Sequence, residues 1–108
     1  MRAGQLRRQV VLEQPSTVKD AAGQVIESWT EVATVYAEIQ QLTGREVLAA
    51  TGKVSIVDAQ IDMRYRDGLS PAMRARYRGQ IYNIAAIIDV DTRHETTRLL
   101  CATGANRG

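Results

Sequence analysis

The chain has no phenylalanine, one cysteine, one histidine, two prolines and two lysines among its 108 residues. Each shortage excludes something. A single thiol, Cys101, can form neither an internal disulfide nor a cysteine zinc cluster, so the fold must hold without such staples and a reducing compartment suits it. No stretch reaches the apolar length of a membrane span, and residues 1–10 carry charge where a signal peptide has its apolar region. No membrane partner is therefore expected. Walker and dinucleotide glycine motifs are missing, as are repeats, low-complexity tracts and Pro/Gly/Ser-rich linkers. The length suits one domain with one core.

Arginine is what the chain has instead. Twelve of its fourteen basic residues are Arg, against twelve acidic residues, for a net charge of +2. That is a near balance tipped by Arg, not the strong excess usual in nucleic-acid binders.

Hydrophobic periodicity reads as strands. Residues 9–14 form a first strand ending at Pro15 and Ser16, and Asp20 with Gly23 supplies a turn. From Gln24 to Ile39 the β-branched and aromatic residues predict one long bent strand or two short ones. Thr43-Gly44-Arg45-Glu46 has the spacing of a capping box, with Val47, Ala50, Thr51 and Val54 at helical intervals, so a short helix is expected to start there and end near Gly52. Val57, Ala59, Ile61, Met63 and Tyr65 alternate with polar residues as the clearest strand. Asp67-Gly68 and Ser70-Pro71 break it, a strand through Tyr77 follows, Arg78-Gly79 reverses into residues 81–88, and residues 97–103 form the last strand. The expectation is an all-β, mainly antiparallel domain over residues 1–103: a small β-barrel of about six strands with one short helix or loop insertion at residues 43–60, then a flexible tail over residues 104–108. Without Phe, the rings available as core anchors are Trp29, Tyr36, Tyr65, Tyr77 and Tyr82; truncating a core Trp29 would cost about 3–5 kcal/mol.

Few residues suggest chemistry. Cys101 sits in the apolar run Leu99-Leu100-Cys101-Ala102 and His94 in a polar turn, so an inert thiol and a solvated imidazole are favoured over a nucleophile–base pair. Asp89, Asp91 and Glu95 lack the glycine and further oxygens of a calcium loop and read as a charged turn. No catalytic residue, metal ligand or cofactor is expected. Arg64, Arg66, Arg74, Arg76 and Arg78 fall in one phase on two strands taken as a hairpin, with Tyr65 and Tyr77 turned the other way. This favours a solvated or subunit-facing surface over a DNA-gripping one, because the rings are not available for base stacking.

Taken in order, Ala3-Gly4 with Leu6-Arg7, Trp29 followed by Val32-Ala33-Thr34-Val35-Tyr36-Ala37, Leu42 with Gly44-Arg45-Glu46, Arg64-Tyr65-Arg66, Met73-Arg74, Tyr77-Arg78-Gly79 with Tyr82 and Ile84, and Leu99-Leu100-Cys101 resemble the phage head-tail joining family. The resemblance spans Ala3 to Thr103, and departs at Val47, where the family often has an aromatic residue. It implies a structural, non-enzymatic neck protein that forms a ring with copies of itself. Its other partners would be a portal-side adaptor, tail proteins and the packaged double-stranded DNA that passes through the channel. The insertion, with Thr43, Gly44, Arg45, Glu46, Gly52 and Lys53, would face that channel and help close it. The implied location is the virion neck after assembly and the host bacterial cytoplasm before, and the barrel pattern favours a stopper over an adaptor. The alternative from the residues is a small-barrel nucleic-acid-binding module acting through the Arg hairpin.

Overall fold

Alternating β-branched residues build six strands in the computed structural model, which describes residues 6–49 and 52–103. They are β1 (Arg8–Lys19), β2 (Val25–Leu48), β3 (Val54–Arg64), β4 (Arg74–Tyr77), β5 (Gln80–Asp89) and β6 (Thr96–Ala102). Every neighbouring pair is antiparallel, and the sheet closes in the order β1-β2-β3-β6-β5-β4. The expected six-stranded all-β barrel is thus the observed one. Its interior is aliphatic: Val10 and Leu12 from β1, Ala59, Ile61 and Met63 from β3, and Leu99 and Cys101 from β6 are all buried. Full closure leaves no long edge around this core.

The insertion is not a helix. β2 runs on through Thr43–Glu46 to Leu48, and Arg45, Glu46, Val47 and Leu48 pair with Val57, Ile56, Ser55 and Val54. The isolated capping signal loses because so short a helix gains little by itself, whereas Val54, Ile56 and Val57 offer a β-branched partner strand. Gly52, at φ 88°, takes the left-handed conformation in the turn, where its N–H donates to the Ala49 carbonyl (2.9 Å). Two of the residues taken as helical, Ala50 and Thr51, lie outside the described residues, as do residues 104–108 and Ala3-Gly4.

Two further expectations fail for topological reasons. β1 does not stop at Pro15 but continues to Lys19. Beyond Glu13 it pairs only with β2, so Pro15 sits in an edge segment, the part of a sheet where proline is tolerated. The proposed Arg hairpin does not form either, because β3 pairs with β6 and β4 pairs with β1 and β5. Residues 65–73 make two consecutive turns, with Gly68 at φ 82° and the Met73 N–H donating to the Ser70 carbonyl (3.0 Å). They cross one mouth of the barrel and place Met73 in the core with Leu69 against it.

Among the expected aromatic anchors only Tyr77 and Tyr82 lean on the main core. Tyr36 is 58% exposed because Val35 and Ala37, its neighbours on β2, face the core and period two turns it outward. Tyr65 is half-buried at the barrel end, where its hydroxyl donates to Asp67 (2.6 Å), which holds its proton above the ordinary tyrosine range. Trp29 is half-buried outside the barrel, opposite Pro15.

β2, with 24 residues, is longer than the barrel wall needs. Its register slips between Leu12/Glu13 and again between Gln41/Arg45. At these points the chain leaves the barrel as two hairpin arms, residues 14–30 at one end and 42–57 at the other, which helps stretch the molecule to 50 × 28 × 25 Å.

Candidate functional site

The 42–57 arm has two unlike faces. Directly opposed residues of an antiparallel pair share a face, so Arg45, Val47, Ser55 and Val57 lie on one side and Glu46, Leu48, Val54 and Ile56 on the other. The first side is seated. Val57, fully buried, joins Ala49, Ala85 and Leu100 in a second apolar cluster, with Leu42, Val47 and Ala86 against it. Leu100 alternates with the inward Leu99 and Cys101, so this cluster fixes the arm to the outer wall of β5 and β6. The second side is bare: Leu48, Val54 and Ile56 are 70%, 63% and 56% exposed. Gly44 lets Ile56 approach closely, since a Cβ there would stand 3.3 Å from its Cγ2. Of the insertion residues singled out by sequence, Thr43, Gly44, Arg45 and Glu46 are exposed strand positions, and Gly52 and Lys53 form the exposed tip. The Lys53 carbonyl accepts from the Ala49 N–H (2.8 Å).

The 14–30 arm is rooted by charge. Glu13 and Arg74, opposite each other on β1 and β4, form a buried pair (Nε–Oε1 2.8 Å). Arg76 reaches Glu13 (3.3 Å) and Glu31 (3.4 Å), two carboxylates that face one another across β1 and β2 and would otherwise repel. The Arg74 guanidinium lies 4.0 Å over the Trp29 ring. Its Nη1 is buried without a hydrogen-bond acceptor among the described residues. Glu13 was invisible as a site in the sequence, although an acid ending the run Val10-Val11-Leu12 is the signal that could have marked it.

The five arginines expected to share a face are therefore scattered. Arg64 and Arg66 are exposed at the far end of β3, Arg74 and Arg76 are neutralised under the 14–30 arm, and Arg78 is exposed in the β4–β5 turn. A hairpin-borne DNA grip is not what this topology builds. Cys101 is buried in the barrel, which pushes its thiol up to about 12, while exposed His94 pairs with Asp89 (3.1 Å). The two do not meet, and the described residues contain no group of three or more His, Cys, Asp or Glu arranged to hold a metal. Among the described residues no helix is long and apolar enough to cross a membrane.

Comparison with known proteins places this architecture. Residues 1–104 match the family described as phage head completion protein. The chain is 30% identical over 112 aligned positions to head completion protein gp7 of Enterobacteria phage HK97, covering 99% of this chain and 100% of that one. In fold it is similar to a protein of Shigella flexneri 2a solved in solution (TM-score 0.70, 21% identity, 99% and 100% of the two chains). It is also similar in fold to a chain in the virion of a native gene transfer agent particle (TM-score 0.63, 24% identity, 89% and 92%). The chain belongs to the phage head completion protein family.

Proposed function

We propose that this protein closes the filled phage head. Copies of it form a ring in the virion neck between a portal-side adaptor and the tail, and the 42–57 arms point into the channel and retain the packaged double-stranded DNA. The barrel of residues 1–103 is the ring's body and the arm is its insertion. It acts without catalysis, in the host cytoplasm until it joins the virion. The family supplies the context, and one observation carries the reading. An arm held to the barrel by one apolar face presents a second, bare apolar face at its tip, formed by Leu48, Val54 and Ile56. A monomer gains nothing from such a face, whereas arms meeting at a ring axis would bury it. A near-neutral charge also suits a channel through which DNA must slide, since tight phosphate contacts would retard it.

The test replaces residues 46–56 by Asn-Gly, which closes the Arg45–Val57 pair with a two-residue turn and spares the barrel. Heads completed by this variant should fill with DNA and then lose it, read as nuclease-sensitive DNA before tail attachment. Nuclease-protected DNA at the wild-type level would remove the arm from retention.

A further inference from the structure

The barrel mouth from which the 42–57 arm departs carries an open cleft of about 300 Å³. Its floor is apolar, made by Ile39, Ala59 and Tyr82. Its rim is cationic: Arg7, Arg8 and Arg78 border an adjoining hollow around Tyr77. The chain brings these groups together across 69 positions, from Arg8 to Tyr77. Arg8, at the start of β1, donates through Nη1 to the Tyr77 hydroxyl (3.1 Å), and Arg78 holds its guanidinium 5.4 Å from the same ring. Neither Arg8 nor Arg78 has a carboxylate partner among the described residues, in contrast to Arg74, Arg76 and Arg98, which are paired.

Arg78 occupies this rim against the preference of its own turn. Arg78 and Gly79 have φ of 50° and 79°, a two-residue hairpin turn with both residues left-handed. Asn, Asp or Gly is the natural first residue of such a turn, and a longer side chain there is strained. A strained residue that projects a cation over a cleft points to binding rather than folding.

The shape and charge select the ligand. Glu38 on the rim and Asp58, whose carboxylate accepts from the Thr103 N–H and hydroxyl, repel any anion set beside them, so ligand anions must sit on Arg8 and Arg78, and an apolar floor offers nothing to a rigid duplex that can touch only the rim. An extended peptide suits both parts. Side chains alternate along it, so an apolar residue can enter the cleft while flanking carboxylates meet guanidiniums in the fork geometry that Arg provides. We propose that this mouth binds an extended acidic segment of another virion protein, with its carboxylates on Arg8 and Arg78 and an apolar side chain over Ile39 and Tyr82. That the partner is a virion protein rests on the function proposed above; the chemistry of the cleft does not.

The experiment uses the full chain and three fluorescein-labelled probes: the peptide Glu-Leu-Glu-Leu-Glu, its Gln-Leu-Gln-Leu-Gln counterpart, and a short DNA duplex. Anisotropy titrations should show saturable binding of the acidic peptide, weakened about tenfold in the Gln peptide, as expected for loss of charge-assisted hydrogen bonds. Arg8→Gln should weaken it similarly. Arg78→Asn should do the same while keeping or raising the melting temperature, because Asn relieves the turn, so lost binding cannot be ascribed to unfolding. The variant with residues 46–56 replaced should still bind the peptide, which separates this proposal from DNA retention by the arm. Failure of the acidic peptide to bind, equal affinity for the Gln peptide, or an Arg78-dependent preference for the duplex would each overturn it. Self-association of the unliganded chain that Arg78→Asn abolishes would give the cleft to a second copy and overturn it equally.

Discussion

The two arms leave opposite ends of the same barrel on the same strand, β2, yet opposite chemistry anchors them. The 14–30 arm stands on Glu13, Arg74, Arg76 and Glu31 with Trp29 over Arg74. The 42–57 arm sits on Val57, Ala49, Ala85 and Leu100. Their tips differ as well. Val18 and Ile26 share one face of the first arm with Ser16 and Thr30, whose hydroxyls are hydrogen-bonded (2.8 Å), and Val25 lies on the other face. The second arm gathers Leu48, Val54 and Ile56 on one side. At the charged root the buried Glu13–Arg74 pair fails as a unit, because removing either one strands the other in a dry place, whereas Arg76 and Glu31 are open to water. An apolar root loses stability in proportion to the volume removed, and leaves the arm's other face free to be apolar too.

The largest effect should follow from breaking the charged root. Glu13→Ala leaves Arg74 buried without its carboxylate and should cost about 3–5 kcal/mol in urea unfolding. Replacing both partners, as Glu13→Leu with Arg74→Met, should recover most of that loss; a double variant no better than Glu13→Ala would show that the pair does more than neutralise itself. At the apolar root Val57→Ala, at a fully buried site, should cost about 2 kcal/mol by the same measurement. Trp29→Ala should cost about 1–2 kcal/mol, less than the core value expected from sequence, because the ring is half-buried and stacks on Arg74 outside the barrel rather than filling the core. A loss as large as that of Glu13→Ala would make Trp29 a true anchor. Leu48→Ser at the bare tip should change stability by no more than about 0.5 kcal/mol while weakening association between copies at high concentration, read by sedimentation.

What could be read from the sequence was local. The alternation from Val57 to Met63, the Asp20–Gly23 turn, whose carboxylate accepts from the Ala22 and Gln24 amides (both 2.9 Å), and the Arg78-Gly79 reversal all lie in short windows, and all appear in the fold. The failures involve distant partners. Thr43 and Glu46 carry a local helix signal that pairing with residues 54–57 overrides. The arginines looked like one hairpin because β6, which takes the free side of β3, comes last in the chain. The Glu13–Arg74 pair joins residues 61 positions apart, and the Arg8–Tyr77 contact joins residues 69 apart, so neither the charged root nor the cationic mouth has a pattern within reach of periodicity. Tyr36 was legible in principle, since its phase opposes that of Val35 and Ala37, but a shortage of rings argued more loudly for the core.

Whether the 42–57 arms meet in the channel of a filled head can be read with one thiol. Cys101 is buried with its thiol pushed up to about 12, so in folded protein a cysteine placed at the exposed tip by Lys53→Cys is the reactive one. Treating DNA-filled, tailless heads of this variant with a short bis-maleimide should give covalent oligomers of the protein, and wild-type heads should give none. Heads in which the tip thiol takes up a monofunctional maleimide yet yields only monomers with the bis-maleimide would show that the arms do not meet.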